Sequence, residues 1–363
     1  MIYLEAIITL SAIGVGLTIL LLIANKLFGN YGTCKVKVND REPFEVEGGG
    51  KLLDALYDQK IFIPSACGGQ GSCGFCKTCV IKGGGPLLPT EEPYLTEEEQ
   101  KNGTRLACQV KIRNDIEIQV KAEYLNVKQF KATVGPCKMM TTDIREIHLK
   151  LTGGETIDFR PGQYVQVLVP NKKETVFRAY SIASVPSTKD EVELLVRLIP
   201  NGLGSTYLHS VKEGDEVTFT GPYGDFVLDE SADSELVCVG GGVGMAPMRS
   251  LLRHVAATNP QKPCWLFFGA RTTDQLLYEA EFKAMAEKLP NMKICYALSE
   301  PEKCPDWKGA TGFIHESVAR ELAENASPSR QAFLCGPPKM LEAARKTLQA
   351  KGFKNENIFA DEF

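Results

Sequence analysis

Residues 61–79 read IFIPSACGGQGSCGFCKTC, and residues 104–110 read TRLACQV. Cys67, Cys73 and Cys76 share a glycine-rich loop, and Cys108 returns from a distant segment. Two irons need four thiolates, and glycine lets backbone N–H groups turn toward negatively charged cluster sulfurs that side chains would obstruct. The four cysteines are therefore read as ligands of a 2Fe-2S cluster. Cys73, Cys76 and Cys79 also make C-x2-C-x2-C, the opening of a 4Fe-4S run, but no cysteine stands three residues beyond Cys79 and no proline follows. A zinc ribbon is the other alternative, and it lacks a second C-x2-C pair around Cys108. Cys79 is expected to be a small buried residue beside the cluster.

Three clustered cysteines and a remote fourth follow the plant-type spacing, here with five residues instead of four between the first two. Around the loop, alternation in CKVKVN (Cys34 to Asn39) and from Pro43 to Glu47 predicts a hairpin, and Leu52 to Gln59 a short helix. Residues 31–125 are assigned to this cluster domain. His148, His209, His254 and His315 lie outside it, so a Rieske-type site has no ligands, and they are read as ordinary surface or core residues.

At 363 residues the chain should fold as two or three units. A net charge of −4 offers no basic surface for nucleic acid. Twelve cysteines, five of them from Cys67 to Cys108, favour metal or redox chemistry over a disulfide scaffold and place most of the chain in a reducing compartment. From Ala6 to Ala24, AIITLSAIGVGLTILLLIA carries no charge. As a helix it would span about 28 Å, one membrane crossing. Glu5, and continuation into Asn25, Lys26, Leu27 and Phe28, argue against a cleaved signal peptide. Lys26 and the reduced thiols predict a single-pass anchor, residues 1–30, with the C-terminal domains in the cytoplasm.

From Lys128 to Val227 short extended runs, Gln163 to Val169, Val192 to Leu198 and Glu216 to Thr220, are separated by Gly, Pro and Asn turns. They predict an antiparallel β-barrel over residues 128–229, with Gly221 to Gly224 as its closing turn. In Arg178-Ala179-Tyr180-Ser181 one strand presents a cation, an aromatic plane and a hydroxyl. Arg178 suits a pyrophosphate, Tyr180 an isoalloxazine face and Ser181 the N5 edge of a flavin. Alone the tetrapeptide is weak, because any strand can hold it by accident. Gly202, Gly204, Ser205 and Thr206, in NGLGSTYL, add backbone donors for phosphate at a predicted helix start.

From Glu235 the pattern changes to strand Leu236 to Val239, then Gly240-Gly241-Gly242-Val243-Gly244-Met245-Ala246-Pro247, then helix Met248 to Ala257. Glycines let a pyrophosphate approach the backbone at a helix N-terminus, and Pro247 suits the first turn, although G-x-G-x-x-P departs from the ordinary fingerprint. Strands Trp265 to Phe268, Lys293 to Leu298 and Ala332 to Cys335 alternate with helices Asp274 to Leu289 and Ile314 to Leu322. This predicts a doubly wound α/β dinucleotide domain, residues 230–363, with Gly240, Gly269, Ser299 and Cys335 at the carboxyl ends of strands where ligands bind. Cys335-Gly336-Pro337-Pro338 falls at that crevice, its small side chain leaving room for nicotinamide to meet flavin. Arg271 could pair with a 2′-phosphate.

In this order RAYS, GGGVGMAP and LCGPPKM resemble the ferredoxin-reductase type of flavoenzyme over about residues 130–363. With the cluster domain and the apolar helix in front, the chain resembles the family of F subunits of sodium-translocating NADH:quinone reductases, to which SACGGQGSCGFC, GGGVGMAPMRS, ALSEP with GFIH and ADEF are similar. The resemblance implies a β-grasp ferredoxin with ligands Cys67, Cys73, Cys76 and Cys108, and FAD at Arg178, Tyr180 and Ser181. It implies NADH, rather than its 2′-phosphate, near Gly242, Gly244, Cys335 and Gly336. It also implies that Phe363 lies against the flavin until nicotinamide displaces it. The stretches between Pro170 and Phe177 and between Ile199 and Gly202 are much shorter than in the family, which leaves the neighbouring subunits open.

The expected activity is hydride transfer from NADH to FAD and single-electron transfer to the 2Fe-2S cluster, then to other subunits of a membrane redox complex. Cofactors do the chemistry, so no acid–base constellation is expected, and Asp361 and Glu362 are read as surface residues of the terminus, with contact to the flavin edge as the alternative. The alternatives are a reductase component feeding an oxygenase, and a catalytically idle cluster-carrying subunit.

Overall fold

The chain divides into two units, Met1–Val127 and Lys128–Phe363, and the computed structural model describes residues 2–28, 31–170, 176–231, 234–324 and 329–362. The first helix, α1 (Ile2–Phe28), is 27 residues long. Its described side chains are those of residue 7, residues 9–20 and residue 22, and the large apolar ones are exposed, from Ile19 at 51% to Leu10 at 71%. That set is smaller than the ~20 apolar residues a crossing needs. Among the described residues no helix is long and apolar enough to cross a membrane. The other side chains of the expected span, those of Ala6, Ile8, Leu21, Ile23 and Ala24, lie outside the described set.

Strict alternation builds the next sheet. β1 (Thr33–Val38) buries Cys34, Val36 and Val38 on one face, and the expected hairpin pairs it antiparallel with β2 (Phe44–Glu47). Then follow α2 (Leu52–Asp58), β3 (Lys77–Lys82), α3 (Glu97–Lys101), β4 (Thr104–Leu106) and β5 (Ile116–Gln119), the strands ordered β2-β1-β5-β3-β4. Leu52 and Leu56 of α2 pack with Leu106, Ile112 and Ile118 in one core. Each such buried side chain contributes roughly 1.5–3 kcal/mol. β3 and β4 run antiparallel with Lys77 opposite Leu106, and this pairing carries Cys76, just before β3, to Cys108, just after β4. The Ala107 N–H donates to the Cys76 carbonyl at 2.9 Å. The connection is fastened by Glu91, wholly buried, which accepts from the Arg105 guanidinium at 2.6 Å and from the Leu106 N–H at 2.8 Å.

The second unit begins with β6 (Lys128–Met139), β7 (Ile144–Leu151), β8 (Tyr164–Val169), β9 (Val176–Ser181), β10 (Glu191–Arg197), α4 (Leu203–Ser210) and β11 (Glu216–Tyr223). These strands form an antiparallel sheet, β10-β7-β6-β11-β8-β9, that curls until its outer strands meet at an Ile182–Leu194 bridge. Phe130, Ile147, Val165, Leu194 and Phe219 fill its interior. Gly221 to Tyr223, expected as a closing turn, instead continue β11 past an irregularity between Thr220 and Tyr223, because Tyr223 pairs with Tyr164 of β8.

The remainder alternates strand and helix: β12 (Leu236–Gly241), α5 (Met245–Thr258), β13 (Cys264–Ala270), α6 (Glu279–Lys288), β14 (Met292–Leu298), β15 (Ala310–Thr311), α7 (Ile314–Glu321), β16 (Gln331–Gly336), α8 (Pro338–Ala350) and β17 (Ile358–Glu362). All pairings are parallel in the order β15-β14-β13-β12-β16-β17. In β12, Leu236 and Cys238 face one core and Val237 and Val239 another, so both faces of the sheet are covered. The expected helix from Asp274 is shorter, since Leu277 is drawn into the core and Tyr278 takes a left-handed conformation at φ 55° before α6 begins. α8 and β17 go beyond the predicted elements, and β17 sets Asp361 beside Cys335 in a sheet rather than in a surface tail.

The curled sheet and α5 share a core through Ile144, Ala183, Leu195, Met248 and Leu251. A polar network borders it. Glu193 of β10 accepts from Arg249 of α5. Arg249 also donates to Glu281 of α6 at 3.0 Å and lies 4.3 Å over the Tyr278 ring. The Tyr278 hydroxyl donates to Glu146 of β7. His148 stands between Glu191 at 2.6 Å and Glu146 at 3.4 Å. Bonding to Glu146, and then to Glu191, raises His148 to about 9, with Glu193 adding to the field. Its folded-state value exceeds the unfolded one, so this stabilisation is complete below about pH 6.5 and is lost as pH rises through 9. Denaturant unfolding of the second unit from pH 6 to 9.5 should show that loss in the wild type and lack it in His148→Gln; parallel profiles would refute the assignment.

Candidate functional site

The cluster loop bends through Gly68, Gly69, Gly71 and Gly74, all with φ between 69° and 81°, a region that side chains disfavour. As a result its N–H groups turn onto sulfur. The Gln70 N–H donates to Cys67 Sγ at 3.3 Å, Ser72 adds a backbone donor to Cys67, Phe75 one to Cys73 and Gly71 one to Cys108. The thiols form two pairs. The neighbouring Cys73 draws the Cys67 thiol below its usual value and Cys76 does the same to Cys108, while Cys73 and Cys76 are themselves held above it by the same neighbours and by burial. Among the described residues, no three cysteine sulfurs lie within 4.8 Å of one another. A single tetrahedral ion would require that closeness; two irons with two thiolates each would not. Cys79 is half-buried on β3, and its thiol donates to the Asn102 carbonyl at 3.2 Å, so it is hydrogen-bonded rather than packed in the core as expected.

The flavin candidates converge. Gly204, in the first turn of α4, leaves no room for a Cβ, which would stand 2.6 Å from the Tyr180 hydroxyl and 2.7 Å from Arg178 Cγ. RAYS and NGLGST, 26 residues apart in sequence from Arg178 to Gly204, therefore lie against one another. Burial raises Tyr180 to about 12, and the neighbouring Arg178 opposes the shift. Arg178 donates to the Phe177 carbonyl at 2.7 Å. Ser205 is buried, its hydroxyl accepting from the Ile199 N–H at 3.1 Å, and the Thr206 N–H is spent on the Gly202 carbonyl at 3.0 Å. Of the expected phosphate donors, the Gly204 and Ser205 N–H groups remain at the open end of α4. A cation, an aromatic and helix N–H groups on one surface suit a flavin pyrophosphate and ring.

Beyond the carboxyl ends of β12, β13, β14 and β16 opens a cavity of about 560 Å³. Gly241, Gly242, Gly269, Ser299 and Pro337 line it, while Gly240, Gly244, Pro247, Cys335 and Gly336 are buried behind it. Gly244 touches the Cys335 carbonyl so closely that any Cβ would collide with it, which locks the two loops at the β12–β16 switch point. Desolvation holds the Cys335 thiol well above its usual value, so it is a neutral group and no nucleophile. Burial raises Asp361 to about 6. Arg271, marked by the sequence, reaches the cavity, and so do Asp143, Arg197, His315 and Lys339, which the sequence does not single out. Arg197 ends a strand that the sequence marks only as an extended run, and only folding presses it onto Gly242. His315, read as ordinary, stacks on Phe313 there. Phe363 lies outside the described residues.

Three families match in series: the 2Fe-2S iron-sulfur cluster binding domain over residues 36–113, the oxidoreductase FAD-binding domain over 131–228 and the oxidoreductase NAD-binding domain over 238–346. The chain is thus an NADH-dependent iron–sulfur flavoprotein oxidoreductase with FAD, a 2Fe-2S cluster and NADH as its cofactors. It is 35% identical over 398 aligned positions to the F subunit of the Na(+)-translocating NADH-quinone reductase of Neisseria gonorrhoeae, with 98% of each chain covered. It is 34% identical to the same subunit of Pseudomonas aeruginosa, covering 97% of this chain and 96% of that one. The chain belongs to the family of F subunits of Na(+)-translocating NADH-quinone reductases. Among solved structures it is similar to the Amycolatopsis cytochrome reductase GcoB, with TM-score 0.73, 30% identity, 91% of this chain and 99% of that one. The ferredoxin reductase in carbazole 1,9a-dioxygenase is also similar, with TM-score 0.69, 26% identity and 92% and 98% coverage.

Two outcomes check these sites. Cys108→Ser should lose the visible cluster absorbance and about half or more of the bound iron, whereas Cys79→Ser should keep both; iron loss in Cys79→Ser would overturn the ligand set. Gly204→Ala should weaken FAD retention about 10-fold or more, read by flavin fluorescence on dilution, because Arg178 and Tyr180 must give way.

Proposed function

We propose that this chain is the membrane-anchored, NADH-oxidising subunit of a quinone-reducing complex of the cell inner membrane. Residues 1–30 would serve as single-pass anchor, 31–125 as ferredoxin domain, 128–229 as flavin domain and 230–363 as dinucleotide domain, the last three in the cytoplasm. The observation that carries this reading is the reach of the family match. It covers 98% of the chain, too much to omit α1, whereas the oxygenase-linked reductases leave 8–9% of it uncovered. The exposed apolar side chains of α1 support an anchor, as does the Thr18 hydroxyl, which donates to its own helix at the Gly14 carbonyl, 2.8 Å away. We assign the sodium translocation of the relatives' name to the assembled complex.

FAD, when bound, supplies the conversion between a two-electron donor and a one-electron acceptor. In this reading Arg178 and the first N–H groups of α4 hold its pyrophosphate, Tyr180 covers its ring, and Ser181 offers a hydroxyl to the ring edge. Gly241, Gly242 and Gly244 receive the dinucleotide phosphates at the start of α5. Cys335, small and neutral, would leave space for the nicotinamide. Cys67, Cys73, Cys76 and Cys108 would hold the cluster.

A second reading, a reductase feeding an oxygenase, is favoured by the likeness to the ferredoxin reductase in carbazole 1,9a-dioxygenase. The purified full chain, titrated anaerobically with NADH, should lose its flavin and cluster absorbance; an unbleached spectrum at full cofactor content would leave only the idle-carrier reading. Membranes stripped of this subunit should then regain NADH-driven quinone reduction when it is added, and removal of residues 1–30 should abolish that recovery. Restoration of an oxygenase alone would support the second reading instead.

A further inference from the structure

The cavity beyond β12 has two walls of different origin. One is the ends of the parallel strands, and the other is Asp143 and Arg197, at the start of β7 and the end of β10 in the curled sheet. Its width therefore depends on how β7 and β10 dock against α5 and the segment that leads into α6. The polar network lies along that contact. Glu193 is four residues from Arg197 on β10, and Arg249 is two residues past Pro247 on the helix that begins at the glycine loop. Glu193 is held by two residues one turn apart on α5, Arg249 and Arg253 at 3.5 Å, and its backbone N–H donates to Ser184 at 3.2 Å. The Ser184 carbonyl accepts from Ser250 of α5 at 2.7 Å. Ser184 stands three residues beyond Ser181, so the segment that follows the flavin-candidate strand and the helix that follows the dinucleotide glycines are tied by adjacent bonds.

Tyr278 supplies a second, independent observation. A tyrosine at φ 55° occupies a conformation that costs energy for any residue with a Cβ. That backbone lets the ring lie under Arg249 while its hydroxyl reaches Glu146 on β7. Nothing in this network touches the cavity, and none of the candidate cofactor contacts uses it.

We propose that Arg249, gripped by Glu193 and Glu281 and seated on Tyr278, is a positioning residue for hydride transfer: it fixes the separation of the flavin surface from the dinucleotide loop. Hydride transfer tolerates little misalignment, and a displacement of about 1 Å between reacting groups costs on the order of 100-fold in rate. The ring faces are set by two separate sheets, so the joint between those sheets sets their distance. Buried pairs of this kind give less net stability than fixed geometry, because the charges lose hydration on entering the joint.

The inference rests on the placement of flavin and dinucleotide proposed above. The test is anaerobic stopped-flow reduction of the FAD-loaded full chain by NADH. It reads the limiting rate at saturation, the apparent dissociation constant and the long-wavelength charge-transfer absorbance of the nicotinamide–flavin complex. Arg249→Met should lower the limiting rate about 10- to 100-fold and weaken the charge-transfer band, with FAD content kept and the dissociation constant little changed. Arg249→Lys should recover part of both. Tyr278→Phe, which removes only the hydroxyl, should shift them in the same direction by less, and it carries the test if Arg249→Met does not fold. A limiting rate within about 2-fold of wild type in folded variants would overturn the proposal, since that is far below the misalignment cost. A change confined to the dissociation constant, or to FAD retention, would overturn it as well. Failure of the wild type itself to bleach would instead sink the cofactor placement beneath it.

Discussion

Backbone N–H groups that face a buried negative charge are the constraint on which this molecule depends. Cluster sulfurs, a flavin pyrophosphate and a dinucleotide pyrophosphate each need donors that approach without a side chain in the way. Glycine segments stand at three places suited to that need: CGGQGSCGFC before β3, NGLGST at the start of α4, and GGGVG between β12 and α5. In each case the glycine segment is inert until a second segment is brought against it. Cys108 arrives through the β3–β4 pairing, Arg178 and Tyr180 through the close approach of Gly204, and the Cys335 loop through contact with Gly244.

The second unit adds a demand that the first does not face. Two ligands must meet there across a joint between a curled antiparallel sheet and a parallel one, and side-chain packing alone allows such layers to slide. Ile144, Ala183 and Leu195 give the joint its adhesion, while Glu193, Arg249, Tyr278 and Glu146 give it a unique register. The left-handed Tyr278 also explains why α6 starts later than its sequence pattern implies. Local helix propensity yields there to a tertiary bond.

Kinship sharpens this picture. Relatives align over nearly the whole chain at about one-third identity, yet the alignment of 398 positions exceeds the 363 residues present, so the relatives carry insertions.

The sequence by itself determined the cysteine ligand candidates, the order of the cofactor modules and the doubly wound sheet, because thiolate spacing, glycine loops and strand periodicity are local properties. It also marked Arg178, Tyr180 and Gly204 separately, without a local reason to join them. Only the tertiary structure decided that Cys79 points to Asn102, that Ser205 is spent on Ile199, and that β11 runs on through Tyr223. It alone brought Arg197, Asp143 and His315 to the dinucleotide cavity and made His148 part of an ion network. These residues carry no pattern of their own. In the joint, Arg249 takes Glu281 from 32 residues away and Tyr278 takes Glu146 from 132, and pairing at that range depends on how sheets stack rather than on any spacing along the chain.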